Sequence, residues 1–520
     1  MELNSGTKQI LWFVLEEWKL ILFLTIIFSL YMYYTGTFEF FEKKGIKFMK
    51  PLPIVGNFGA RLLAKKSFHQ FQYDVYQFFK GSPYGGIFEG RRPVLYVFDT
   101  DLIKAVTIRD FDHFVDRNTF STNEPRYLSQ SLLNLKGSEW KGVRSTLTPA
   151  FSSARLTNML PLIEVCSQQM VEFLKQYDGK DVEMKDTMGH FTLEVIGACA
   201  FGIKCDALTD ENANFIKVAE RFNYMSKSKR ALIFFFLVFA PKMFRYLNIS
   251  FMNAESTNEL VRILKAAKKE RRSGDQRRND FLQLLIDAAQ NDNGDSESPQ
   301  ARTLLDDDTI DAQSLLFLIA GYETSSTLLS FAIHMLATKP DLQEKLRSHV
   351  QELTEGKEMS YELLSQLSYL EGFLLETLRL YPPVARVDRV CTKTYTLPGT
   401  SVQVDVGDVV AIPIYGIQTD PDIYPNPEEF VPERFVGEEK KNRPSHLFLA
   451  FGAGPRNCIG LRFAMYSAKL SMVTLLKKFK FSVCPKTEDP IKFEKRGFLL
   501  KAEKGLWVRI DSLETSRVLE

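Results

Sequence analysis

The chain has 520 residues, 45% of them apolar and 25% charged, and a formal net charge of only +2, so nothing general favours nucleic acid as a partner. Its 42 Phe and 19 Tyr point to an aromatic-rich core, a large apolar pocket, or both. Six cysteines without a C-x-x-C exclude a disulfide-stapled scaffold, and six histidines without an H-E-x-x-H exclude that class of zinc hydrolase.

The first predicted element is an apolar helix. Leu20–Tyr34 is fifteen residues without a charge or a proline, and adding Leu11–Leu15 brings it to the ~20 residues that cross a bilayer. Aromatic residues stand at both ends, as in interfacial belts. Lys43, Lys44, Lys47 and Lys50 follow it, whereas only Lys8 precedes Glu16, so the positive-inside rule places the bulk of the chain in the cytoplasm. No small-residue cleavage site follows, which argues for an anchor and against a removed signal peptide. Pro51–Asn57 (PLPIVGN) then reads as a rigid turn segment between anchor and globule.

Short strand-like runs come next, at Tyr84–Glu89 and Arg92–Phe98. Helical periodicity predicts helices over Leu156–Tyr177, Phe191–Phe201, Ala213–Lys227 and Leu260–Arg272. The polar stretch Asn291–Asp308 reads as an exposed loop, with Asp306–Asp308 suited to the positive end of the helix that follows. That helix is predicted over Asp311–Lys339, roughly 43 Å long and stopped by Pro340. Another covers Tyr361–Leu380, and strand-like pieces follow at Tyr395–Leu397, Ser401–Val406 and Val409–Pro413. The expected organisation is an anchor at 1–35, a basic, proline-containing hinge at 36–57, and one predominantly helical α+β unit at 58–520.

The most specific motif is Phe451-Gly-Ala-Gly-Pro-Arg456-Asn-Cys458-Ile-Gly460, a glycine-rich turn that delivers a thiol to the start of an amphipathic helix. Unpaired N–H groups at a helix start stabilise a thiolate, and Arg456 adds a cation that can meet an anionic group. A phosphate loop would need a Gly-Lys-Ser/Thr ending, and there is none. A buried structural cysteine after a glycine turn is the plainer alternative.

This decapeptide matches the haem-binding loop of the cytochrome P-450 family, F-x-x-G-x-R-x-C-x-G, at every fixed position. The chain is therefore identified as resembling haem-thiolate monooxygenases of the microsomal class. The resemblance implies a P-450 fold, with a long helix over the haem and a small sheet region, and haem b held by Cys458 as axial ligand. In this family electron release from the sulfur favours O–O cleavage. It also implies that Arg456 pairs with a haem propionate, with Trp140 and Arg144 (WKGVR) nearby and with Arg117 (FVDRN) and Arg389 (RVDRV) as further propionate partners. Glu376 and Arg379 lie three residues apart on one helix face, where a surface pair would contribute only ~0.2–0.5 kcal/mol. In the family they form a scaffold triad with a downstream arginine, here Arg434.

Ala320-Gly-Tyr-Glu323-Thr324 is a poor helix centre, since Gly alone costs ~1 kcal/mol against Ala. A local rule broken inside an otherwise good helix is where function is expected, although hydroxyls bonding back to carbonyls also bend helices. The motif is similar to the family's A-G-x-[DE]-T, whose acid and alcohol help deliver protons during oxygen activation. Glu323 and Thr324 take those places. A haem-thiolate isomerase or dehydratase, which commonly lacks that pair, is the first rival, and a non-enzymatic haem carrier the second.

AGYETSS, DHFVDRNTF and the Phe-rich middle are similar to insect microsomal enzymes that clear plant toxins and insecticides, with a hormone or lipid hydroxylase as the alternative. By that analogy the pocket is lined by Asp112–Leu133, the Phe-rich stretch, residues near Phe317–Thr324, Val384–Arg386 and the loop near Phe498–Leu499, with Arg386 able to favour an anionic or hydrogen-bond-accepting substrate. Leu232–Phe244 is expected to be a lid that dips into the membrane. No flavin or nicotinamide fingerprint occurs. The implied electron donors are an NADPH–cytochrome P-450 reductase, docking near Lys440, Lys441 and Lys469, and cytochrome b5. The implied location is the endoplasmic reticulum membrane.

Overall fold

Helix starts and stops follow local chemistry in the computed structural model, which describes residues 5–118, 126–210, 214–222, 226, 229, 232–233, 236, 253–273, 278, 280–291 and 305–513. The central helix runs Asp307–Thr338, four residues earlier than its periodicity predicts, because the Asp306 carboxylate accepts from Thr309 N at 2.8 Å and caps it. The helix predicted from Phe191 begins at Met184, and its last turn, Gly197–Phe201, is π-helical. Its polar first residues (MKDTMGH) hide the start. The single pattern over Tyr361–Leu380 is two helices, Tyr361–Gln366 and Ser368–Leu380, broken at Leu367.

Strands β1 (Tyr84–Glu89) and β2 (Arg92–Val97) form a hairpin as expected. β3 is Lys180–Glu183, β4 Val387–Val390, β5 Tyr395–Thr396, β6 Gln403–Val404, β7 Val409–Ile412, β8 Phe479–Ser482 and β9 Trp507–Ser512. The main sheet has the order β1-β2-β7-β4, with β2 parallel to β7. A second sheet has the order β3-β9-β8, and β5 pairs with β6 alone.

Two apolar cores result. The larger gathers the helices around the central one, and the smaller packs the main sheet against helix Phe68–Phe78. Phe41 and Ile46, from the segment predicted as hinge, are buried in the smaller core, and the partly exposed Lys44 is 2.8 Å from Asp405. Ahead of them, Ser5–Thr35 is one helix whose part Glu17–Thr35 has mean hydropathy 1.4 and is 6% buried, long and apolar enough to cross a membrane. The central helix has the same hydropathy but is 56% buried, as a core helix should be. The expected lid, Leu232–Phe244, lies outside the described residues apart from Leu232, Ile233 and Phe236.

Candidate haem site

The cysteine loop is fixed by close backbone approach. Gly454 has φ +69°, and a Cβ there would stand 1.7 Å from Thr107 O in the π-helical turn Ala105–Arg109, so no other residue fits. Cys458 N donates to Phe451 O at 2.8 Å, closing the loop just before the helix Leu461–Lys478. The Cys458 side chain is open to space although protein surrounds it on its other sides, and this burial pushes its thiol above the ordinary value. The Gly460 N–H and the cations Arg117 and Arg144 pull the other way.

Four arginines converge on this loop. Arg456 is 2% exposed and lies with its Cζ 4.1 Å over the Trp140 ring, donating to the carbonyls of Val115, Leu132 and Leu135. Arg117 Nη2 donates to Arg456 O at 2.8 Å. Arg144 binds Asn457 through O at 3.1 Å and Oδ1 at 3.0 Å. Arg389, on β4, is fully buried and points Nη1 at Asp388 O. Among the described residues none of the four has an ion-pair partner: Asp388 is taken by Arg386 at 2.7 Å, and Asp116 accepts from Gly137 N. Burial, and then the neighbouring guanidiniums, push Arg389 and Arg456 down to about 9. The buried Nε atoms of Arg117 and Arg389 have no hydrogen-bond partner at all.

Such a cluster is unfavourable by itself. Buried charges left unpaired cost several kcal/mol each, on the order of the desolvation penalty, so the site is built for an anion with several oxygens. A macrocycle carrying two carboxylates and a metal that takes a thiolate fits this donor set. Cys458 would supply the sulfur, and Arg117, Arg389, Arg144 and Arg456 the cations.

The triad of Glu376, Arg379 and Arg434 holds the approach to the loop. Arg379 forks onto Glu376 at 2.7 and 2.8 Å with both side chains fully buried, and Arg434 Nε is 3.4 Å from the same carboxylate. Arg379 also donates to Gln418 O, while Gln418 Oε1 accepts from Leu449 N, two residues before Phe451. The triad is thereby hydrogen-bonded to the strand of chain that delivers the cysteine.

The central helix is tied to the loop through shared neighbours. Gln313 Oε1 accepts from Leu132 N, whose own carbonyl accepts from Arg456. The Phe151 ring lies 5.5 Å from Phe317 and stands beside Gly460. Within this otherwise buried helix, Ala320 is exposed and Gly321 to Thr324 are half-buried, so the A-G-Y-E-T turn faces open space. Thr324 Oγ1 donates to Ala320 O at 2.7 Å. Glu323 turns to the adjacent helix, where Lys185 Nζ lies 3.2 Å from its carboxylate.

Lys185 is a site residue that the sequence reading missed. Its sequence signal is weak: it stands among the polar first residues of its helix (MKDTMGH), and nothing there marks it as enclosed. Two expectations need correction. Arg386 is held by Glu89, Asp388 and Tyr96 Oη, so it is neutralised within the protein and does not select anionic substrates. Lys469 is 2% exposed and bound to Glu371 and Leu364 O, which removes it from any docking surface. Lys440 and Lys441 are exposed but paired with Glu371 and Glu438.

The family model described as Cytochrome P450 matches residues 46–509. The chain belongs to the cytochrome P450 family. It is 37% identical over 513 residues to "Cytochrome P450 9e2" of Blattella germanica, covering 94% of this chain and 96% of that one. It is 34% identical over 495 residues to "Probable cytochrome P450 6a14" of Drosophila melanogaster, covering 92% and 97%. "Cytochrome P450 3A6" of Oryctolagus cuniculus is 35% identical over 506 residues, covering 96% and 98%. Cytochromes P450 are monooxygenases that bind haem through a cysteine thiolate, which is the chemistry the thiol and the unpaired arginines are shaped to receive.

Proposed function

We propose that Cys458 is the axial ligand of haem b. Arg117, Trp140, Arg144, Arg389 and Arg456 would gather its propionates, with Phe451 and Gly460 shaping the loop around the sulfur. The observation that carries this reading is the cluster of four guanidiniums with no counter-ion among the described residues, wrapped around a thiol open to space. Haem, when bound, supplies oxygen activation, and the thiolate's electron release promotes O–O cleavage.

The chain's own residues do the rest. Cys458 would hold the metal as its thiolate, a form that the Gly460 N–H and the Arg117 and Arg144 cations favour against the upward push of burial. Thr324 holds its hydroxyl on Ala320 O at the edge of the open turn, where it can rotate to present its proton. Glu323 is the acid that passes protons inward, its side chain 13% exposed and set against the neighbouring helix. The substrate class is lipophilic small molecules, including plant toxins and insecticides. Val384 and Leu499 bridge, and Val384 and Phe498 stay exposed, as an apolar rim for such compounds.

The electron donor is an NADPH–cytochrome P-450 reductase, with cytochrome b5 as a second donor. The docking face is the cysteine side, where Lys136 and Arg462 are exposed. The apolar helix at Glu17–Thr35 holds the chain in the endoplasmic reticulum membrane, with the globule facing the cytoplasm. The test is product formation from a lipophilic panel with reductase and NADPH, each omitted in turn. Turnover that persists without either would make the chain an isomerase or dehydratase instead.

A further inference from the structure

Arg91 is a cation without a counter-ion, set where the apolar N-terminal helix meets the main sheet. Of the basic residues that follow that helix, Lys43 lies 2.8 Å from Glu39 and Lys44 2.8 Å from Asp405, so both are matched within the chain. Arg91 comes 54 positions after Thr37, in the turn between β1 and β2. Among the described residues no carboxylate pairs with its guanidinium, and its buried Nε has no hydrogen-bond partner. What it has is a ring. Its Cζ lies 3.8 Å from the centre of Tyr33, in the last turn of the helix Ser5–Thr35.

Helix and sheet are joined closely enough to fix this contact. Hydrogen-bonded turns continue past the helix, from Gly36 N to Met32 O at 2.9 Å, Phe38 N to Thr35 O at 2.8 Å and Phe40 N to Thr37 O at 3.0 Å. The Thr37 hydroxyl donates to the Arg91 carbonyl. The Phe38 ring lies 5.1 Å from Phe88 of β1, and Met49 N donates to Gly86 O at 2.9 Å, which adds the segment to the sheet edge. A Cβ on Gly86 would stand 2.4 Å from the Phe41 ring, so the glycine admits that ring.

Tyr33 is 43% exposed, near the end of the apolar span Glu17–Thr35. Tyrosines at the end of a membrane helix sit at the level of the lipid headgroups, and a guanidinium resting on Tyr33 shares that depth. The anions available there are lipid phosphates. A planar fork takes two oxygens of one phosphate at once, which a lysine ammonium does not. The ring beneath holds the fork in one orientation.

We propose that this junction seats one anionic phospholipid: Arg91, held flat on Tyr33, binds the headgroup phosphate where the anchor helix enters the globule. The inference rests on reading Glu17–Thr35 as a membrane anchor. Lipid, helix and sheet edge then form one unit, which pins the turn between β1 and β2 to the bilayer surface.

The test uses the full-length haem protein in nanodiscs of phosphatidylcholine with a small share of photoactivatable phosphatidic acid. Cross-linked lipid is located and counted by peptide mass spectrometry. Label is expected on the peptides that hold Tyr33 and Arg91. In Arg91→Gln it falls about 5-fold there, the equivalent of the ~1 kcal/mol that one basic residue contributes at an anionic surface. Tyr33→Leu, which keeps the helix apolar and leaves the globule untouched, lowers it similarly, and Arg91→Lys restores only part. Lys43→Gln removes the same unit of charge from a residue already matched by Glu39, and its label stays as in the parent. Unlabelled phosphatidic acid competes, whereas inorganic phosphate does not.

If Lys43→Gln loses as much label as Arg91→Gln, the lipid follows net charge and there is no seat. Displacement by inorganic phosphate would make this a site for the free anion and overturn the lipid reading. Vesicle flotation after an alkaline carbonate wash separates the two levels of the argument. A chain that fails to float loses the anchor and the inference together. One that floats, but labels alike in parent, Arg91→Gln and Tyr33→Leu, loses only the inference. Should Arg91→Gln not accumulate as a folded haem protein, Tyr33→Leu decides the matter, and an unchanged label in it overturns the proposal.

Discussion

The cysteine loop and the central helix carry buried charge under opposite rules. Around Cys458 four guanidiniums crowd together with no carboxylate of their own, and two of them leave a buried Nε without a partner. Beside the A-G-Y-E-T turn one ammonium and one carboxylate face each other with two hydroxyls beside them. Because the chain itself cannot neutralise the first region, that region is shaped by the ligand. The second is neutral within the chain, so its charges can serve a moving proton. The difference shows where to look in a related structure: unmatched buried charge marks a ligand's seat, and matched charge marks a part that the chain completes by itself.

The largest effect belongs to the one atom for which the loop exists. Cys458→Ala is expected to abolish the thiolate-type spectrum of the reduced, CO-bound protein and all NADPH-dependent product. A thiolate-like spectrum in that variant would mean another residue holds the metal. Next comes Glu376→Gln, which strands two buried guanidiniums. Breaking a fully buried pair costs about 3–5 kcal/mol, read as a large drop in thermal midpoint together with loss of haem content, since Gln418 joins the triad to the chain at Leu449.

Arg389→Met tests the comparison most directly, because its sign should differ between the haem-loaded and haem-free protein. Hydrogen bonds to charged groups contribute about 1.5–3 kcal/mol, so haem retention against an apomyoglobin-type acceptor should weaken roughly 10- to 100-fold. The haem-free chain, relieved of one cation from a self-repelling cluster, should melt no lower than the parent and somewhat higher. A variant that melts lower in both states would show that Arg389 is matched internally after all.

The two regions also differed in how far they could be read from residues alone. Cys458, Arg456 and the Glu376 and Arg379 pair sit in short contiguous motifs, and Gly454 is dictated by one close approach to Thr107, so local spacing carries most of the loop. The strands at Tyr84–Glu89 and Arg92–Val97 were legible for the same reason, being bounded by Gly90 and Asp99. Lys185 was not legible. It stands 138 positions before Glu323 in the sequence, and only the packing of two helices through Gly321 brings them together. Arg386 and Lys469 were misread for a related reason. A basic residue at a suggestive position says nothing of the carboxylates that tertiary structure sets beside it, here Glu89 and Asp388 for one and Glu371 for the other.

Thr324→Ala is expected to have the smallest effect on the molecule and a specific effect on its chemistry. The hydroxyl makes one hydrogen bond, back to Ala320 O within its own helix, a bond that gives helices little and often bends them. Alanine is the better helix former by about half a kcal/mol, so thermal midpoint and haem spectrum should stay within about that margin of the parent. What changes is the proton path. With the hydroxyl gone, NADPH consumption continues while a larger share of its electrons leaves as hydrogen peroxide and less as product, measured as the peroxide-to-product ratio at fixed NADPH. Lys185 and Glu323 are untouched, so their ion pair at 3.2 Å stays in place. A lowered thermal midpoint or an altered haem spectrum in Thr324→Ala would instead show that the hydroxyl holds the turn in place through Ala320 O and does not act only on the proton path.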